Sequence, residues 1–118
     1  MNKFNARKCF VDGKKFDSVA EAEHYLILKD RQKRGEIYGL ECQKRFVVIE
    51  AQNFGKKHIK ETVYIADFAY YENPTDRLVV EDTKGFKKGN AYQIFTIKRK
   101  LMLQKYGIWV REYRNSVV

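Results

Sequence analysis

The run Glu61 to Tyr71 reads Glu-Thr-Val-Tyr-Ile-Ala-Asp-Phe-Ala-Tyr-Tyr and constrains the fold more than any other segment. β-Branched and aromatic residues crowd it, which suits an extended strand. Asn73-Pro74-Thr75-Asp76 follows as a hairpin connection, and Leu78 to Thr83 reads as the return strand. Upstream, Ser18 opens a helix through about Arg34, closed by Gly35, with Val19, Ala22, Tyr25, Leu26, Ile27 and Leu28 at helical spacing. A second helix is expected from about Ala91 to Tyr106, stopped by Gly107, with Ile94, Phe95, Ile97, Leu101 and Met102 packing inward. Gln43 to Gln52 alternates weakly and reads as a strand, Asn53 to Lys57 as a turn, and Ile108 to Arg111 as a last strand. Residues 1–17 read as an irregular basic arm with a turn at Asp12-Gly13, and Gly85 to Asn90 as a basic loop. The order αβββαβ predicts an α/β chain whose central mixed sheet is flanked by helices.

At 118 residues the chain has room for one domain, 1–118, with 44% apolar residues to fill a core. Lys and Arg outnumber Asp and Glu by 24 to 15, a net charge of +9. A surface this basic attracts polyanions, because neutralised phosphates release condensed counterions. Cys9 and Cys42 stand apart, with no CxxC and no histidine at zinc spacing, so a zinc site is not expected and a reducing, cytoplasmic setting is. No apolar run approaches the ~18 residues that cross a bilayer, and the N-terminus lacks a signal-peptide apolar core. No glycine loop matches the phosphate-binding pattern of nucleotide hydrolases.

Chemistry concentrates in the two best strands. Asp67 interrupts the first, and Asp82-Thr83-Lys84 ends the second. Side chains alternate along a strand, so Asp82 and Lys84 share one face and Glu81 takes the other, as a structural hydrogen-bond or ion-pair partner. The same parity puts Asp67 with Val63, Ile65 and Ala69, partly buried. Two carboxylates about 4 Å apart repel by roughly 4 kcal/mol at an effective dielectric of 20. They persist together only with a cation between them, a lysine beside them or a raised pKa. Hard cations such as Mg²⁺ prefer oxygen ligands, and Lys84 could orient or help deprotonate a water.

Plainer readings exist for each group. An acid-x-lysine triplet commonly makes a cross-strand ion pair on a solvated face. Ser18-Val19-Ala20-Glu21 has the capping-box spacing, which makes Glu21 a helix cap. Glu23 looks like a solvated acid, and His24 like an ordinary interfacial histidine. Lys87 and Lys88 follow the acid-x-lysine triplet, Lys98, Arg99, Lys100 and Lys105 decorate the second helix, and Lys3, Arg7, Lys8, Lys14 and Lys15 lie in the arm. Singly these are solvated cations; together they suggest a phosphate-backbone binder.

The acid in one strand and the acid-x-lysine in the next, within the αβββαβ order, resemble the PD-(D/E)XK nuclease superfamily. More closely, the chain resembles the small phage Holliday-junction-resolvase-like family, catalogued as a domain of unknown function. The matching segments are Asn5 to Lys8, Val11-Asp12-Gly13, Phe16-Asp17-Ser18 with Glu21, Tyr64 to Phe68, Val80 to Gly85 and Lys98 to Leu101. Ala66 stands where the superfamily often has proline. The resemblance implies a restriction-endonuclease-like fold and a Mg²⁺- or Mn²⁺-dependent deoxyribonuclease with Asp67, Asp82, Lys84 and Glu21 catalytic, the three acids holding metal. It further implies branched or duplex DNA as partner, bound through residues such as Lys87, Lys88, Lys98, Arg99, Lys100, Arg7 and Lys8. A homodimer and a phage- or prophage-encoded protein in a bacterial cytoplasm follow from the same resemblance. A catalytically silent binding module and a nicking or exonucleolytic enzyme are the alternatives.

Overall fold

The computed structural model describes residues 9–83 and 89–113. Its centre is a mixed four-stranded sheet in the order β3 (Ile37–Ile49), β6 (Thr62–Glu72), β7 (Arg77–Thr83) and β8 (Arg111–Tyr113). The first two pairings are antiparallel and the β7–β8 pairing is parallel. Helix α1 (Val19–Lys33) precedes β3 and α2 (Asn90–Tyr106) joins β7 to β8, so the expected αβββαβ order is present. Two short hairpins are added to it, β1 (Cys9–Val11) with β2 (Lys14–Phe16) and β4 (Gln52–Phe54) with β5 (Lys57–Ile59).

The first hairpin replaces part of the expected irregular arm. Asp12 (φ 52°) and Gly13 (φ 75°) are both left-handed, the conformation a tight two-residue hairpin turn demands and Asp-Gly supplies. The second replaces the simple turn expected at Asn53–Lys57. Strand β3 also reaches back to Ile37, where exposed Tyr38, Gly39 and Glu41 hide the alternation. The last strand begins at Arg111 rather than Ile108, because Val110 is drawn into the core before pairing starts.

The sheet separates two cores. Phe16, Ala22, Tyr25, Leu28, Ile37, Phe68, Tyr70 and Val79 pack on the α1 side. Phe46, Val48, Tyr64, Ala66, Ala69, Val80, Phe95, Met102 and Val110 pack on the α2 side. Burying one large apolar side chain here is worth about 1.5–3 kcal/mol. Each helix contributes only a narrow stripe: Ala22, Tyr25 and Leu28 on α1, and Phe95 and Met102, with half-buried Leu101, on α2. Leu26, Ile27, Ile94 and Ile97, expected inside, are exposed because they lie off those stripes.

Ser18 caps α1 by accepting the Glu21 N–H at 3.1 Å, and Gly107 closes α2 at φ 70°, its N–H donating to the Leu103 carbonyl at 2.9 Å. A Cβ on Gly107 would meet nothing within 4 Å, so Gly107→Ala carries only the left-handed backbone penalty. Urea unfolding should register a loss of about 1 kcal/mol. No helix among the described residues is long and apolar enough to cross a membrane.

Strand alternation breaks at the same level in two neighbouring strands, β3 and β6. Leu40 and Cys42 pack on the α1 side, yet Phe46 and Val48 pack on the α2 side. Likewise Ala66 belongs to the α2 side and Phe68, two residues on, to the α1 side. The register Cys42↔Phe68 and Lys44↔Ala66 sets Gln43 opposite Asp67 at this switch, with Gln43 at φ 55°. Asp67 therefore does not share one face with both Ile65 and Ala69, as simple parity expects. It sits where the faces exchange.

Candidate functional site

Strands β6 and β7 pair from Glu72↔Arg77 to Phe68↔Glu81. One step further Asp67 meets Asp82, and side chains take over from the backbone ladder. The Asp67 N–H donates to Asp82 Oδ1 at 3.0 Å, and the Thr83 N–H donates to Asp67 Oδ2 at 2.8 Å. The buried Tyr64 hydroxyl donates to Asp82 Oδ2 at 2.7 Å. Asp82 is 4% exposed, which rules out the solvated ion-pair reading of its triplet.

Glu21 enters from the first turn of α1, also buried, and its Oε2 accepts from Gln43 Nε2 at 3.1 Å. The capping spacing and the inward carboxylate thus coexist, since the cap uses the Glu21 backbone while its side chain turns toward the sheet. Glu23 is exposed, as expected. Burial raises the Glu21 carboxyl to about 7, with repulsion from Asp17 and Asp82 adding to it. Burial likewise raises Asp67 to about 8, reinforced by the charges of Asp82 and Glu21. Burial and the adjacent Asp82 also push the Tyr64 hydroxyl well above its ordinary value. Three carboxyls from α1, β6 and β7 thus feel one another in a partly desolvated place. Among the described residues, no group of three His, Cys, Asp or Glu side chains is arranged to hold a metal ion.

Glu81 turns to the opposite side from Asp82, as alternation requires. Its Oε1 lies 2.6 Å from His24 Nε2, and its Oε2 accepts from the Tyr70 hydroxyl at 2.5 Å. Burial acts to raise its pKa, but the His24 and Tyr70 hydrogen bonds prevail and leave it below the usual carboxylate range. His24 is therefore more than an interfacial residue: it holds a buried acid while stacking on Tyr113 at 3.6 Å between centroids.

Of the basic residues named from sequence, Lys84, Lys87, Lys88, Arg7 and Lys8 lie outside the described residues. Lys98 is half-buried on α2 and Lys100 is exposed. Arg99 is committed to the fold. It donates to the Val110 carbonyl at 2.9 Å and to Glu112 at 2.7 Å, and its guanidinium lies 4.0 Å from the Trp109 ring centroid. Tyr64 and Gln43, which fix two of the three carboxylates, escape sequence reasoning. Tyr64 reads as ordinary strand filler, and Gln43 faces Asp67 only through a register that composition does not encode.

Neither the curated proteins nor the solved structures gave a match to this chain. A family model does match residues 1–115, and on that match the chain belongs to the family described as Protein of unknown function (DUF1064).

Proposed function

We propose that the protein is a divalent-metal-dependent DNA endonuclease selective for branched or distorted DNA. Glu21, Asp67 and Asp82 would hold the metal, and Lys84 would act on the attacking water. The observation that carries this reading is the convergence of three carboxyls from three elements, two of them with raised pKa values. Such a set is unfavourable without protons or a cation among its members. Each of the three side chains offers the hard oxygen atoms that Mg²⁺ or Mn²⁺ prefers, and a bound ion would have to draw together carboxyls that are not arranged around a common point without it. The acid and acid-x-lysine spacing and its resemblance to PD-(D/E)XK nucleases support the same chemistry.

When bound, the cation would neutralise charge at the scissile phosphate and lower the pKa of a coordinated water. The chain's own groups do the positioning. Tyr64 and the Asp67 N–H hold the Asp82 carboxylate in one orientation, and the Thr83 N–H does the same for Asp67. Gln43 restrains Glu21. Lys84, two residues beyond Asp82, would orient the water or accept its proton, a contribution of typically 10²–10⁴-fold in rate. A homodimer would provide two such sites for cutting two strands.

Junction, flap, nicked, linear and single-stranded DNA with Mg²⁺ or Mn²⁺ provide the test. Wild type should cleave at least one of these, and Lys84→Ala should lose about 10²-fold or more of that rate while still binding. Undiminished cleavage by Lys84→Ala removes that residue from the site. Tight binding by wild type with no cleavage of any substrate replaces the nuclease with a silent binding module.

A further inference from the structure

The β4–β5 hairpin takes part in neither core, and every residue from Glu50 to Lys60 is exposed. Its strands pair Gln52↔Ile59, Asn53↔His58 and Phe54↔Lys57 around the turn Gly55-Lys56, with Gly55 at φ 62°. Directly opposed residues present their side chains to the same side. Gln52, Phe54, Lys57 and Ile59 therefore form one face. Asn53 and His58, joined by a 3.0 Å hydrogen bond, form the other.

At the tip, the Phe54 ring is 78% exposed. Single exposed apolar residues are ordinary, but this one sits on a ribbon that belongs to neither core among the described residues and is unusually basic. Lys56, Lys57 and Lys60 lie on it, and no carboxylate occurs between Ala51 and Lys60. The acids at its base are already matched: Glu61 pairs with Arg45 at 3.3 Å, and Glu50 pairs with Lys105. Two copies of this tip would repel, which disfavours self-association through it. A polyanion that also offers a flat apolar face complements both features.

We propose that this hairpin is a nucleic-acid wedge. Phe54 stacks on a base left unstacked at a branch, gap or frayed end, and Lys56, Lys57 and Lys60 hold the flanking phosphates. The choice of DNA over other polyanions rests on the nuclease reading above. The geometry agrees with a single substrate for both features. From Asp67 to Thr62 the β6 strand covers about 17 Å, roughly five base-pair steps, before the hairpin begins. A base at Phe54 and a phosphate at the carboxyl cluster can thus belong to one branched molecule. Aromatic stacking tolerates any base, so the wedge selects DNA structure rather than sequence.

Fluorescence anisotropy in Ca²⁺ should be measured on a four-way junction, a gapped duplex and a blunt duplex of equal length. Phe54→Ala should weaken junction and gap binding about 10-fold, with duplex binding changed less than about twofold. Its thermal unfolding midpoint should stay close to wild type, since Phe54 is mostly exposed and belongs to neither core. Lys56→Ala with Lys57→Ala should weaken all three substrates and lower the log–log salt slope by about 2. Unchanged binding by Phe54→Ala, or equal losses on junction and duplex, overturns the wedge. So does an effect confined to sedimentation or to phosphatidylserine–phosphatidylcholine vesicle binding. Cleavage in Mn²⁺ is followed in parallel. A wild type that binds as expected but never cuts refutes the nuclease and leaves the wedge standing. A Phe54→Ala variant that binds and cuts like wild type refutes the wedge alone.

Discussion

At pH 8 without divalent cations, Asp67→Asn should be more stable than wild type, although with Mn²⁺ added its DNA cleavage falls about 10³-fold below wild type. Both effects have one cause. Asp67 rises from 3.8 to about 8 in the folded protein, chiefly through burial and then through the charges of Asp82 and Glu21. The folded state therefore keeps a proton that the unfolded chain gives up. The stability this proton confers is fully present below about pH 4 and is lost as pH climbs to about 8. The slope is at most about 1.4 kcal/mol per pH unit for each retained proton. Glu21 adds a second loss of the same sign between 4.5 and about 7. Asparagine at position 67 can still accept the Thr83 N–H, but it carries no charge, so the variant's stability depends less on pH. Urea titrations at pH 5, 6, 7 and 8 in EDTA should show the wild-type curve dropping away from the variant's. Mn²⁺ should then restore wild type at pH 8, by about 2.7 kcal/mol at a hundredfold excess over Kd, and leave the variant nearly unmoved. A wild type that gains stability from pH 5 to pH 8 would contradict the repulsion argument.

Much of this arrangement is legible in the sequence, and the limits have identifiable causes. Asp67 and Asp82 follow from two strongly β-forming runs, and the opposed Glu81 from alternation within the second. Ser18, Gly35 and Gly107 mark helix ends because capping and left-handed backbone are local chemistry, readable without tertiary context. The face exchange at Gln43 and Asp67 is not local. It needs two strands in register, and nothing in Cys42-Gln43-Lys44 announces a left-handed residue. Ile94 and Ile97 mislead for a different reason: a helix lying on a sheet buries a stripe, and hydropathy alone does not fix which of several apolar positions that stripe includes. Arg99 reads as one more cation for DNA, since its partners Glu112 and the Val110 carbonyl arrive from the next strand and its approach. The Asp12-Gly13 hairpin, by contrast, is signalled by a dipeptide that prefers this turn.

Glu81→Ala should destabilise the protein by about 2–6 kcal/mol, because it removes the acceptor of two buried hydrogen bonds and each donor left unsatisfied costs about 1–3 kcal/mol. The carboxylate is enclosed between α1 and the sheet, with Oε1 held by His24, Oε2 by Tyr70 and the Arg111 guanidinium 3.8 Å away. Truncation leaves His24 Nε2 and the Tyr70 hydroxyl facing a cavity with no acceptor. His24 has no slack to compensate. Its Nδ1 is buried without a hydrogen-bond partner among the described residues, and its ring is fixed by the stack on Tyr113 and an edge contact with Phe68 at 5.4 Å. Glu81→Gln, which keeps one acceptor and the shape, should cost about 1–2 kcal/mol. Although Glu81 adjoins Asp82 in sequence, the two side chains leave the strand on opposite sides. Each Glu81 variant, assayed where it remains folded, should therefore bind Mn²⁺ with wild-type affinity. A Glu81→Ala protein of undiminished stability that no longer binds Mn²⁺ would instead assign Glu81 to the carboxyl cluster, and alternation would have failed in β7 as it does at Asp67 in β6.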